Sequence, residues 1–203
     1  LVAEYWVGNV CSTAIFDAGV ARGLVFIGRS FKLLTASAVG ASLFGYDNST
    51  TGGASPDVFR LHVTDTGITP LDNGPSDTPW GANSDMTSFG GRLYFANGNV
   101  LNPGTWQEEA GYSGLGWGRE VAIDPTGSRV VLATENYSTT ASVGFFDLAT
   151  RQLFALTQIK SIRGSVASLA LCGADRLAFR TDDSIYFLRS SAIPAGDAPA
   201  DLS

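Results

Sequence analysis

An all-β fold is predicted by three observations. Twenty-four Gly and eight Pro punctuate a chain of 203 residues in which only 16% are charged, a composition of strands and turns, since the exposed faces of helices demand more Lys and Glu. Helical periodicity is nowhere sustained beyond two turns, so almost no helix is expected. Glu120 to Ile159 reads as four short antiparallel strands joined by tight turns, the anatomy of one β-propeller blade of about forty residues. The fold class is therefore all-β, built from propeller blades of four antiparallel strands. About three are complete and two partial, which makes an incomplete ring.

Taken in order, Leu1 to Gly8 is strand-like, and Ser12 to Phe16 is a second strand that meets a turn at Asp17-Ala18-Gly19. Val20 to Ile27 continues the apolar pattern, so residues 1–30 read as the last strands of a partial blade. A complete blade is expected over 31–74: Lys32 to Val39, Ala41 to Asp47, a mobile loop of turn formers from Asn48 to Asp57, the alternating run Phe59 to Val63, and Ile68 to Leu71 after the Asp65-Thr66-Gly67 turn. Leu71 to Asp85 reads as a polar connector. In the short blade over 75–118, Met86 to Phe89 and Arg92 to Ala96 flank Gly90-Gly91, and Asn97-Gly98 is a strong hairpin signal that returns the chain through Val100-Leu101.

The blade over 119–160 holds a short strand from Glu120 to Ile123, ended by the turn Asp124-Pro125-Thr126-Gly127, and a β-branched run from Arg129 to Thr134 suited to burial on both faces. Val143 to Leu148 follows, and Asp147 to Arg151 turns the chain into Gln152 to Leu156. Ser165 to Leu171, Asp175 to Arg180 and Ile185 to Arg189 supply three strands of a partial blade over 161–191, and 192–203 reads as a tail or linker. Leu43, Leu93, Val130 and Leu177 recur at one place after a glycine or polar turn, at blade-sized spacing.

An open arc of blades leaves a face of several hundred Å² bare at each end, on the order of 10 kcal/mol at about 25 cal/mol per Å². A protein partner, or blades missing from this stretch, is expected to cover those faces. The start LVAEYWVGNV has neither Met nor a signal-peptide pattern, so the chain is expected to be processed or cut from something longer.

A net charge of −6 with a pI near 4.6 excludes a nucleic-acid partner, which needs clustered Lys and Arg. No apolar run approaches the roughly 20 residues that span a bilayer. Cys11 and Cys172 are too few and too far apart for a zinc motif. Either they form a disulfide that ties the first strands to the last, or they are free thiols packed as small hydrophobes.

Candidate chemistry is sparse. His62 is the single histidine and alternates with Leu61 and Val63 in a strand. No G-x-S-x-G accompanies it, so it reads as a surface residue. Glu108, Glu109, Glu120 and Glu135 are the carboxylates available for acid/base work of the glycosidase kind, although adjacent glutamates such as Glu108-Glu109 on a loop are ordinarily just solvated. Asn102-Pro103-Gly104-Thr105-Trp106 resembles the sialidase Asp-box turn with its Trp one residue early, and reads as a structural turn. Asp72, Asn73, Asp77, Asn83 and Asp85 gather the hard oxygen donors that calcium prefers, in a spacing that fits no EF-hand. Calcium on Asp72, Asp77 and Asp85 stands beside plain turn residues as the alternative, and no other cofactor is expected. Asn48-Ser49-Thr50 and Asn136-Tyr137-Ser138 match the glycosylation sequon. Among the tryptophans, Trp80 and Trp117 are the candidate interface anchors.

The segments Ala14 to Arg22, Ser42 to Asn48, Gly90 to Gly98 and Asp175 to Thr181 resemble successive blades of the bacterial secreted YncE-like/YVTN-like propellers, in order and over most of the chain. The likeness is to the C-terminal part of such a propeller, a family often found with immunoglobulin-like domains. It implies a propeller fold and an extracytoplasmic location, periplasmic or secreted, and says little about function. A non-enzymatic interaction or scaffold module is therefore the preferred reading. The alternative is a propeller hydrolase, a lactonase or glycan-active enzyme, using carboxylates or a bound divalent cation.

Overall fold

The computed structural model describes residues 2–7, 10–17, 20–25, 31–36, 42–47, 57–65, 67–74, 85–115, 118–124, 128–136, 139–172 and 176–189; within 2–17, 21–25 and 31–34, and at 47, 57, 119, 136 and 189, the backbone alone is described. Every described element is a strand, as the composition predicts, and the eighteen strands form five sheets.

The first sheet holds β1 (Val2–Val7), β2 (Val10–Asp17) and β3 (Val20–Val25). The second holds β4 (Phe31–Ala36), β5 (Ser42–Asp47), β6 (Asp57–Thr64) and β7 (Gly67–Asn73). In the third are β8 (Met86–Phe89), β9 (Arg92–Phe95), β10 (Val100–Asn102) and β11 (Gln107–Glu109), and in the fourth β12 (Gly118–Asp124), β13 (Arg129–Asn136), β14 (Thr140–Asp147) and β15 (Leu153–Lys160). The fifth has β16 (Val166–Leu171), β17 (Arg176–Thr181) and β18 (Ile185–Arg189). Each sheet is a meander in which sequential strands are neighbours.

The chain clusters into two compact units, Leu1–Ala82 with Ser88–Leu93 and Leu101–Gln107, and Asn83–Thr87 with Tyr94–Val100 and Glu108–Ser203. In the first, Phe59, Leu61 and Ile68 of the second sheet form a buried cluster with Leu43 and Val63 packed against it. The backbone N–H of Ser88 donates to the Thr35 hydroxyl at 3.2 Å, which ties β8 to β4.

In the second unit the core lies between the fourth and fifth sheets. Val131, Ala133, Ala141, Val143 and Phe145 meet Ile162, Val166, Leu177 and Phe179. The other face of β14 is buried as well: the Phe146 ring meets Tyr112 edge-on at 5.4 Å, and a Cβ on Gly144 would strike Leu115 at 2.3 Å. Burial on both faces explains the near-continuous apolar run in this strand. The repeated anchors Leu93, Val130 and Leu177 all fall in the second strand of their sheets and are fully buried, while Leu43, also in a second strand, is half-buried.

Among the boundaries that differ from the sequence reading, three involve candidate residues or their strands. β7 runs through Leu71–Asn73, the start of the expected connector, because Asp72 lies opposite Arg60 in the β6–β7 register and pairs with its guanidinium. Glu108 and Glu109 belong to strand β11 rather than to a loop. β15 extends to Lys160, four residues beyond Leu156, since its partner β14 continues to Thr140.

Asn102 to Trp106 is the turn between β10 and β11, and it has the same geometry as Asp147 to Arg151 between β14 and β15. In each, the first side chain accepts the N–H two residues on, Gly104 at 2.9 Å and Ala149 at 3.0 Å. In each, the fifth residue donates its N–H to the first carbonyl and sits at positive φ, 57° for Trp106 and 63° for Arg151. The short Asn or Asp side chain substitutes for backbone pairing where the hairpin bends.

Candidate functional site

The carboxylates that invite a catalytic reading are engaged in ties between strands. Glu135, near the end of β13, accepts the Val166 N–H at 3.2 Å and the Ser165 hydroxyl at 3.4 Å, which fastens β13 to the start of β16. Glu109 pairs with Arg151 at 2.9 Å. Glu108 is exposed. Glu120 hydrogen-bonds through its side chain to Asp85.

Asp85 precedes β8 and is half-buried. Its carboxylate accepts the N–H of Met86 at 2.8 Å and that of Val121 at 3.3 Å, and its backbone carbonyl accepts the Ala96 N–H at 2.9 Å. Burial holds its carboxyl above the usual carboxylate range, against the opposing pull of the Val121 and Met86 N–H groups and of Glu120. Two carboxyls in one hydrogen bond need a proton between them. Asp147 is the reverse case: the Thr150 N–H and hydroxyl hold its carboxyl below the usual range.

The two shifts set opposite limbs of a stability profile. The Asp85 contribution is present below the ordinary carboxyl pKa and is lost as pH rises through the raised value. The Asp147 contribution is present above the ordinary pKa and is lost as pH falls through the lowered value. Urea midpoints between pH ~3 and ~7 are expected to lose their upper decline in Asp85→Asn and their acid decline in Asp147→Asn. An Asp85→Asn profile that parallels the parent above pH ~4 contradicts the assignment.

The predicted calcium ligands do not converge among the described residues. Asp72 is taken by Arg60, and Asp85 by the two backbone N–H groups and Glu120. Asp77 lies outside the described residues, and no group of three or more His, Cys, Asp or Glu side chains is arranged for a metal among those described. Trp80 and Trp117 also lie outside them, as do Asn48 and the Asn48 to Pro56 loop. Cys172, after β16, is a free and exposed thiol rather than a buried hydrophobe, and its N–H donates to the Arg176 carbonyl. The Cys11 side chain is not among those described. His62 is exposed on β6, as expected of a surface residue.

Sequence reasoning passes over three features. Asp124, at the end of β12, and Arg129, at the start of β13, form a buried ion pair, 5% and 1% exposed. The signal for it is legible: opposite charges flank the sequence Pro125-Thr126-Gly127. Trp106 is a tryptophan with a defined environment, stacked under the Arg60 guanidinium at 5.7 Å and against Gly74, where a Cβ would meet the ring at 3.0 Å. The third feature is the outer face of the fifth sheet, where Ile185 is 64% and Phe187 76% exposed. Ser168, Ala170, Arg176 and Arg180 are exposed beside them on β16 and β17.

No family model matches the chain, and no curated protein matches it. Solved structures do. The Dos1 propeller is similar over 89% of this chain at 10% identity, with a TM-score of 0.61. The fold is that of a β-propeller. Hydrazine synthase of Kuenenia stuttgartiensis is similar over 90% of the chain at 15% identity and a TM-score of 0.61, and a mitotic checkpoint complex structure over 96% at 13% and 0.58. The chain spans 60%, 51% and 65% of the hydrazine synthase, Dos1 and checkpoint chains, so these propeller proteins are longer than the stretch they match. Among the described residues, no helix is long and apolar enough to cross a membrane.

Proposed function

We propose that this chain is a non-enzymatic protein-interaction or scaffold module, part of a larger protein or complex of the YncE-like/YVTN-like kind that works outside the cytoplasm. The observation that carries the reading is the apolar outer face of the fifth sheet, bare at Ile185 and Phe187. Two further facts support it. Glu109, Glu135 and Asp85 are spent on ties that hold strands together, where a catalytic carboxylate must face its substrate. One similar structure is itself a multiprotein assembly, the mitotic checkpoint complex. The extracytoplasmic location rests on the resemblance of the blade segments to secreted propellers.

Binding of an apolar-sensitive dye tests the reading. The purified chain is expected to bind the dye, and Phe187→Ser with Ile185→Ser to lose most of the signal without loss of folded structure. A dye-silent, stable monomer contradicts it. Turnover on a sugar or lactone panel that disappears in Glu120→Gln or Glu135→Gln but survives in Glu108→Gln replaces the scaffold reading with the hydrolase.

A further inference from the structure

Resting on that reading of the chain as part of something larger, we propose that the outer face of the fifth sheet seats a further β-blade, carried by the same polypeptide outside these 203 residues, and that this blade sets a carboxylate against Arg180.

In the fourth sheet, Val130 lies opposite Phe146 and Leu132 opposite Gly144, and these rows face Tyr112 and Leu115. In the fifth, Leu177 lies opposite Leu188 and Phe179 opposite Tyr186, and these rows face the fourth sheet. The two sheets are therefore equivalent row for row, with β13 matching β17 and β14 matching β18. The intervening rows point the other way. In the fourth sheet they are Val131 with Phe145 and Ala133 with Val143; in the fifth they are Ala178 with Phe187 and Arg180 with Ile185.

Phe187 thus holds the place of Phe145, and Ile185 that of Val143, with the same residue classes in the same order. Phe145 and Val143 are 0% exposed because the fifth sheet covers them, whereas Phe187 and Ile185 are 76% and 64% exposed. A face with core residues at core positions is built to be covered by the element that covers its counterpart, namely the apolar side of a blade.

Within these two rows Arg180 is the change of chemistry. It stands where the fourth sheet has Ala133, so a covering blade buries a guanidinium and needs a carboxylate to pair with it. The same residue disfavours a second copy of this chain docked face to face, which would bring Arg176 and Arg180 against their own likenesses. The propellers similar to this chain extend beyond the matched part, it being 51–65% of their length, which leaves polypeptide to form the blade.

Cys172, exposed and free, is an internal reference for a thiol-labelling test. Phe187→Cys is introduced in the 203-residue chain and in the full natural polypeptide, and maleimide labelling of residues 172 and 187 is followed by peptide mass spectrometry. In the chain alone the two thiols are expected to label at similar rates. In the full polypeptide labelling at 187 falls about tenfold or more, while Cys172 is unchanged, and Arg180→Glu restores most of it. Ser168→Cys, on the row of Arg180, repeats the measurement at a polar position if Phe187→Cys does not fold. Equal labelling in both proteins overturns the proposal, as does a natural polypeptide without a further blade. Protection of residue 187 in the isolated chain that grows with concentration assigns the face to a second copy and overturns it too. In every one of these overturning outcomes, dye binding by the isolated chain still reports separately on the scaffold reading.

Discussion

Asp124→Ala is expected to destabilise the chain by about 3–5 kcal/mol, the range for removing one partner of a buried ion pair. The Arg129 side chain, 1% exposed, donates to Asp124 through Nε at 3.0 Å and through Nη2. Without the carboxylate, a permanently charged guanidinium stays in the interior of the fourth sheet. The pair bridges Asp124 and Arg129 directly opposite each other, so the first hairpin of that sheet loses its closing contact. The double variant Asp124→Ala with Arg129→Met is expected to recover most of the loss, because the charge leaves with its partner. Urea unfolding of the two variants checks this, and a double variant no more stable than Asp124→Ala shows that the effect lies elsewhere.

Gly118→Ala carries the second large effect, about 3 kcal/mol or more, beyond ordinary overpacking because backbone must move. A Cβ at Gly118 would stand 1.6 Å from the Ala96 carbonyl oxygen and 2.5 Å from its carbon. Ala96 cannot retreat freely, since its N–H is bonded to the Asp85 carbonyl at 2.9 Å, and Asp85 in turn holds the Val121 N–H. One methyl group therefore opposes the approach of β12 to the β9–β10 turn. Gly90→Asn is the matched control: nothing lies within 4 Å of its added carbon, and its φ of 56° is one that Asn accepts. Thermal unfolding is expected to drop sharply for the first and little for the second.

Much of the fold is legible in the sequence because strand and turn chemistry is local. Asn97-Gly98 marks its hairpin by residue type, and the run Arg129 to Thr134 marks a strand buried on both sides. The Arg60–Asp72 pair, which carries β7 into the expected connector, is a cross-strand contact that appears only once the register is known. Arg151 with Glu109 is less accessible still, being 42 residues apart. Of the candidate site, the exposure of His62 is legible from its alternation with Leu61 and Val63. The bare face of the fifth sheet is not. Ile185 and Phe187 alternate with Tyr186 and Leu188 as any buried strand does, and exposure depends on which neighbours exist, a fact about packing that residue type does not encode.

Blade faces, covered or bare, set the behaviour of this chain. Amide hydrogen exchange of β14 against β17 tests it most directly. Each strand is hydrogen-bonded on both sides within its sheet, so backbone pairing is matched. They differ in that β14 is buried on both faces and β17 on one. The β17 amides are expected to exchange about tenfold or more faster than those of β14 in the isolated chain. Equal protection of the two strands would contradict it.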